Sequence, residues 1–185
     1  MDGWRLLAHT TFPGLGEYAS GFLHPFTTPA HGLVLLALGL WLGQRAPLRI
    51  KEPAAVFAAV AALGLVLTAT THSGALHPAV LIGIGLWIGA CVATAVPVPL
   101  WVKLVVCGVA ALALGLDSGV DPGTPPSSAV KILPATWVGL VLCVVNAAFY
   151  VSLLPAARPA QIGVRIAGSW IVAIAVLLLA FALRR

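Results

Sequence analysis

The chain has 185 residues, 61% of them hydrophobic and 8% charged, with a mean hydropathy of +1.06. That leaves too little polar surface to cover a water-soluble domain of this length, so the bilayer must be the main solvent. Ten Lys/Arg against five Asp/Glu give a net charge of +5. Nearly all of these charges fall between apolar runs, a pattern of membrane topology that excludes a nucleic-acid-binding stripe.

From Met1 to Phe26 there are acidic residues and no continuous apolar core before the prolines, so a cleaved signal peptide is not expected. Pro13 to Leu23 reads as a short amphipathic or re-entrant segment. A hydrocarbon core about 30 Å thick then asks for roughly 20 apolar residues per helix, with every backbone N–H and C=O bonded inside the segment. Six stretches qualify, at residues 29–43, 53–71, 78–96, 99–116, 132–154 and 162–183. Five of them have proline at or near the start, where its missing N–H costs nothing. The expected fold is all-α, a polytopic transmembrane helix bundle forming a single domain over residues 1–185.

Arg45, Arg49, Lys51 and Glu52 follow the first span, Arg158 precedes the sixth, and Arg165 lies in its first turn, so these connections are predicted cytoplasmic. With Lys103, that side holds six basic residues, against Arg5, Lys131, Arg184 and Arg185 on the other. The longest connection, 118–131, has turn chemistry from Pro122 to Ser128 and is expected as an external loop. A weak internal echo pairs Gly39-Leu40-Trp41-Leu42-Gly43 with Gly85-Leu86-Trp87-Ile88-Gly89, each downstream of a His-Pro step at His24 and His77. Cys91, Cys107 and Cys143 all sit in apolar stretches, with no spacing for a disulfide framework or a metal site.

With six spans, the start of the first, the end of the second, the start of the third and the end of the fourth share one side of the membrane. His24, His31, His72, His77, Asp117 and Asp121 occupy those ends. Ionisable groups at membrane depth are costly enough to be functional candidates, and imidazole with carboxylate suits Ni²⁺, Co²⁺ or Zn²⁺. The plainer alternative is a histidine resting at the headgroup interface. His24 and His31 are seven residues apart, two turns on one face if the segment is one helix, although Pro25 and Pro29 interrupt it. Asn146 with Tyr150, and Thr68, Thr70 and Thr71, read as interhelical hydrogen-bonding groups, while Gly83, Gly85, Gly89, Ala58, Ala59, Ala61 and Ala62 would let helices approach closely. Trp41, Trp101, Trp137 and Trp170 lie near predicted span ends, as in an aromatic belt.

The run Gly21-Phe22-Leu23-His24-Pro25-Phe26-Thr27-Thr28-Pro29-Ala30-His31-Gly32, followed by Gly39-Leu40-Trp41, resembles the first-span signature of the HupE/UreJ membrane proteins, a His, five residues, Asp and His. Arg165-Ile166-Ala167-Gly168-Ser169 is similar to the start of that family's last span. The resemblance implies a small multi-pass protein of the bacterial inner membrane connected with uptake of nickel or a related metal. Two departures stand out. Ala30 occupies the position of the signature's Asp, and Leu114 to Asp121 keeps Gly115 and Gly119 and offers Asp121 for a Glu, but lacks the two histidines of the second signature.

There is no phosphate-cradling loop with Lys-Ser/Thr, no His-Glu-x-x-His helix and no Gly-x-Ser-x-Gly elbow, so an ATP-driven pump on this chain alone is excluded and no enzyme is expected. A single methionine and no close Cys pair argue against a Cu(I) path. The leading expectation is a permease for a divalent transition metal of the nickel or cobalt class, with Ni²⁺, Co²⁺ or Zn²⁺ as transported or bound ion and no resident cofactor. The second is a non-transporting membrane subunit that anchors or assists a larger complex. The third is an intramembrane zinc hydrolase, which would need three protein ligands. Expected partners are the lipid bilayer and either further copies of the chain or a larger membrane complex, without nucleic acid.

Overall fold

The computed structural model describes residues 16–45, 49–71, 76–120, 123–155 and 157–184, and of Thr71 the backbone alone. Among them are seven helices and no strand: α1 (Glu17–Thr27), α2 (Pro29–Gly43), α3 (Lys51–Thr71), α4 (Pro78–Thr94), α5 (Leu100–Asp117), α6 (Pro126–Ser152) and α7 (Arg158–Leu183). The protein is an all-helical membrane bundle. Helices α3, α5, α6 and α7 are each long and apolar enough to cross a bilayer, α1 and α2 qualify together as a bent pair, and α4 is a shorter apolar helix of 17 residues.

Pro29 causes the bend. A residue before proline is pushed out of the helical region, and Thr28 is extended, at φ −93° and ψ 110°, so the axis turns by 73° between α1 and α2. The expected re-entrant segment is therefore a helix of 11 residues that carries His24 in its last turn and Pro25 within it. His24 and His31 lie on different helices, not on one face of a single helix.

Helix α2 is apolar on every side, and ten of its 15 residues are buried. Such a helix belongs in the middle of a bundle, and α2 packs on α4 and α6 with further contacts to α1, α5 and α7. The flanking glycines of the sequence echo serve these contacts. Gly39 and Gly43 face Ala147 and Ala148 of α6, Gly85 faces Leu33, and Gly89 faces Ile171 of α7. The two echo tryptophans meet edge to face, Trp41 and Trp87, with ring centroids 6.3 Å apart. By contrast, a Cβ on Gly83 would meet nothing within 4 Å.

Helices α3 and α5 run parallel, Val56 beside Gly108, Gly64 against Gly115 and Thr68 against Gly119. Helix α6 carries α1 and α2 in turn. Thr136 Oγ1 donates to Gly21 O at 3.0 Å, and a Cβ on Gly139 would meet Phe22 O at 2.6 Å and the Pro25 ring at 3.5 Å. Helix α6 begins at Pro126, so the connection expected over 118–131 includes its first turn. At the opposite end of the bundle, Arg45 donates to Ala95 O and Arg165 Nε to Ala93 O at 2.9 Å, tying the end of α2 and the start of α7 to the C-terminus of α4.

Polar groups inside the spans divide. Thr68 bonds its own helix at Gly64 O, 2.8 Å, and also lies 3.3 Å from Gly115 O and Leu116 O of α5. Thr70 and Asn146 bond backward along their own helices, to Val66 and Leu67 and to Leu142, and Tyr150 is exposed. The tryptophans correct the aromatic-belt reading in part. Trp101 and Trp170 are exposed, but Trp41 is buried, and Trp137 Nε1 donates to Ala58 O of α3 at 2.8 Å. Trp137→Phe keeps the ring and removes that donor, so it should lower unfolding free energy by about 0.6–1.7 kcal/mol in mixed micelles. An unchanged unfolding midpoint would mean the bond contributes nothing.

Candidate functional site

The N-terminus of α2, the C-termini of α1, α3 and α5, and the N-terminus of α4 converge, as counting the spans predicts. Asp117 is the last residue of α5, where the carbonyl end of the helix dipole disfavours a carboxylate. Two donors offset this. The Leu76 backbone N–H donates to Oδ1 at 2.9 Å, and His31 Nε2 donates to Oδ2 at 2.8 Å. A carboxylate can only accept, which fixes the proton of His31 on Nε2.

His31 is fully buried, and Asp117 is 13% exposed. Its second nitrogen, Nδ1, is buried and meets no hydrogen-bond partner among the described residues. With Nε2–H given to the carboxylate, Nδ1 is the ring nitrogen left to meet a further group. The His24 ring lies edge-on to the His31 ring, centroids 5.3 Å apart. An imidazole whose one N–H is held by a carboxylate has its other nitrogen fixed in direction, as in the carboxylate–histidine arrangement of metal-ligating histidines.

The remaining candidates fall differently. His77 is exposed and caps α4, its Nδ1 accepting from Ala79 N at 3.3 Å, so its ring serves the helix terminus and not the His31 group. His72 and Asp121 lie outside the described residues. Among the described residues no group of three or more His, Cys, Asp or Glu side chains could hold a metal ion.

Three contributors gave no signal in the sequence. Leu76 acts through its main chain. Ser118, 3% exposed beside Asp117, has a buried hydroxyl without a partner among the described residues. Glu17, at the start of α1, accepts from Lys131 Nζ at 2.7 Å and from the Ser128 hydroxyl, fastening the outer end of α1 to the start of α6. Opposite charges 114 residues apart cannot be paired from the sequence.

Neither the curated proteins nor the solved structures offer a match to the chain. The family model described as HupE / UreJ protein matches residues 3–178, nearly the whole length: the chain belongs to the HupE/UreJ family.

Proposed function

We propose that the protein is a permease for a divalent transition metal of the nickel or cobalt class, in the bacterial inner membrane, with the His31 end of the bundle facing outward. The HupE/UreJ family is associated with nickel/cobalt uptake or urease maturation and is not known for enzymes. The observation that carries the reading is the orientation of His31, held through Nε2 by Asp117 with its buried Nδ1 on the other side of the ring and the His24 ring alongside. Neutral imidazole nitrogen is a ligand suited to Ni²⁺ and Co²⁺ and a poor one for Mg²⁺ or Ca²⁺. Two imidazole ligands with water filling the other positions would hold an ion weakly, as passage requires.

Uptake of radioactive Ni²⁺ and Co²⁺ by cells expressing the chain tests this. The wild type should accumulate metal above the empty-vector level, and the double variant His24→Ala/His31→Ala should return to it at equal membrane abundance. Undiminished uptake in the double variant removes both residues from the pathway. The absence of three converging ligands among the described residues and the Ala30 departure favour a second reading, a non-transporting subunit of a larger membrane complex. In that case the wild type gives no uptake, and a partner copurifies from native membranes in mild detergent.

A further inference from the structure

At the end of the bundle opposite His31 lies a cavity of about 690 Å³, within the range of small-ligand sites, roughly 300–1,000 Å³. It opens between the end of α2, the end of α6 and the first turns of α7, and Arg45, Arg158 and Arg165 line it. Arg158 and Arg165 are seven residues apart on α7 and so share a face. Arg45 and Arg165 are each anchored by one bond to a carbonyl at the C-terminus of α4, Ala95 O and Ala93 O. Each guanidinium carries five N–H donors, so one anchoring bond leaves most of the fork for a ligand.

None of the lining residues is acidic. Of the acidic residues described, Glu17 and Asp117 belong to the other end of the bundle, and Glu52 does not reach the cavity. Three guanidinium groups around one cavity repel one another unless an anion sits among them. The N-terminus of α7 opens into the same space with no side-chain cap on its first turn, which adds the positive end of a helix dipole. The cavity wall is also apolar in part: Leu154 and Ile162 line it and are 47% and 52% exposed, and they continue into the lipid-facing surface of α7 at Ile166 and Trp170.

We infer that this cavity is a binding site for a phosphoryl oxyanion, gripped by the arginine forks and, given the adjoining apolar wall, carried by an anionic lipid headgroup whose acyl chains run along α7. Basic pockets between membrane helices on the predicted cytoplasmic side have this use. The inference rests on the cavity and its charge alone and stands whether or not the protein moves metal.

The test is the thermal stability of the purified chain in neutral detergent, with phosphatidylcholine, phosphatidylglycerol or inorganic phosphate added at matched ionic strength, and native mass spectrometry to count retained lipid. Phosphatidylglycerol should raise the midpoint by about 5 °C over phosphatidylcholine near saturation. Arg158→Gln/Arg165→Gln should lower its retention at least tenfold, and Arg158→Lys, which keeps the charge and loses the fork, should fall between. Arg158→Gln alone, on an exposed side chain, should show part of the same loss and serves if the double variant does not fold. Stabilisation by phosphatidylglycerol only assigns the oxyanion to lipid, and stabilisation by phosphate with no added gain from the lipid assigns it to free phosphate. Equal response to phosphatidylcholine and phosphatidylglycerol with none to phosphate, or an arginine-independent gain, overturns the site.

Discussion

Cells expressing Asp117→Asn should take up Ni²⁺ at limiting concentration 10- to 100-fold more slowly than wild type, the range expected when the group orienting a metal ligand is altered. The carboxylate accepts from two donors at once, Leu76 N–H and His31 Nε2–H. An amide offers one oxygen and one NH₂. If its oxygen keeps Leu76, the NH₂ faces Nε2, the imidazole must accept there, and the ring proton moves to Nδ1, the atom proposed to meet the metal. If the amide is reversed, Leu76 N–H faces another donor. Asp117→Ala leaves both donors unpaired and should also destabilise the protein, by about 1–3 kcal/mol for each buried donor. The two variants therefore separate by measurement, Asn reducing uptake more than stability and Ala reducing both. Wild-type uptake by Asp117→Asn would show that the tautomer of His31 does not matter.

Gly115→Val should unfold about 1–3 kcal/mol more easily than wild type, with loss of uptake, although it changes no polar group. A Cβ at Gly115 meets Ala61 O at 2.7 Å and Gly64 Cα at 3.0 Å, and both are backbone atoms that no rotamer change can move. Without a hydrophobic drive between helices in lipid, such contacts of small residues supply much of the association. Forcing α3 and α5 apart also shifts Asp117, two residues further along α5. The matched control is Gly83→Ala, where a Cβ meets nothing within 4 Å and better helix propensity makes the change neutral or mildly stabilising. Equal melting midpoints for the two variants would contradict the close packing of α3 on α5.

Hydropathy and the count of spans were enough to place His31 and Asp117 at the same end, because parity of crossings fixes sides without any knowledge of contacts. Their bond spans 86 residues, and choosing that partner over His77 needed coordinates, since His77 differs only in capping α4. The break at Thr28 was legible as Pro25 and Pro29, but not its direction, which depends on α1 finding the groove along α6. From the sequence Trp137 reads as an interfacial residue, because the apolar run that holds it starts at Ile132. With six further residues before it, the same ring lies well inside α6 and reaches α3. The arginine cavity had no signature, since Arg45, Arg158 and Arg165 also satisfy a charge-bias reading of topology.

The bend at Thr28 has an electrical consequence. Pro25, next to His24, lies against Gly139, the fourteenth of the 27 residues of α6. Helix α2 then needs only 15 residues, about 22 Å, to reach the far side. On the proposed orientation a cation at the histidine pair has already crossed part of the membrane voltage. With about 22 Å of a core about 30 Å thick still ahead, about a quarter of the drop lies behind it, and a dication that traverses a quarter of 100 mV, negative inside, gains about 1.2 kcal/mol, close to a sevenfold rise in occupancy. A ligand pair too sparse to capture Ni²⁺ strongly in a de-energised membrane would thus be filled more often under the resting potential, with dissociation toward the cytoplasm left to cross the rest of the drop.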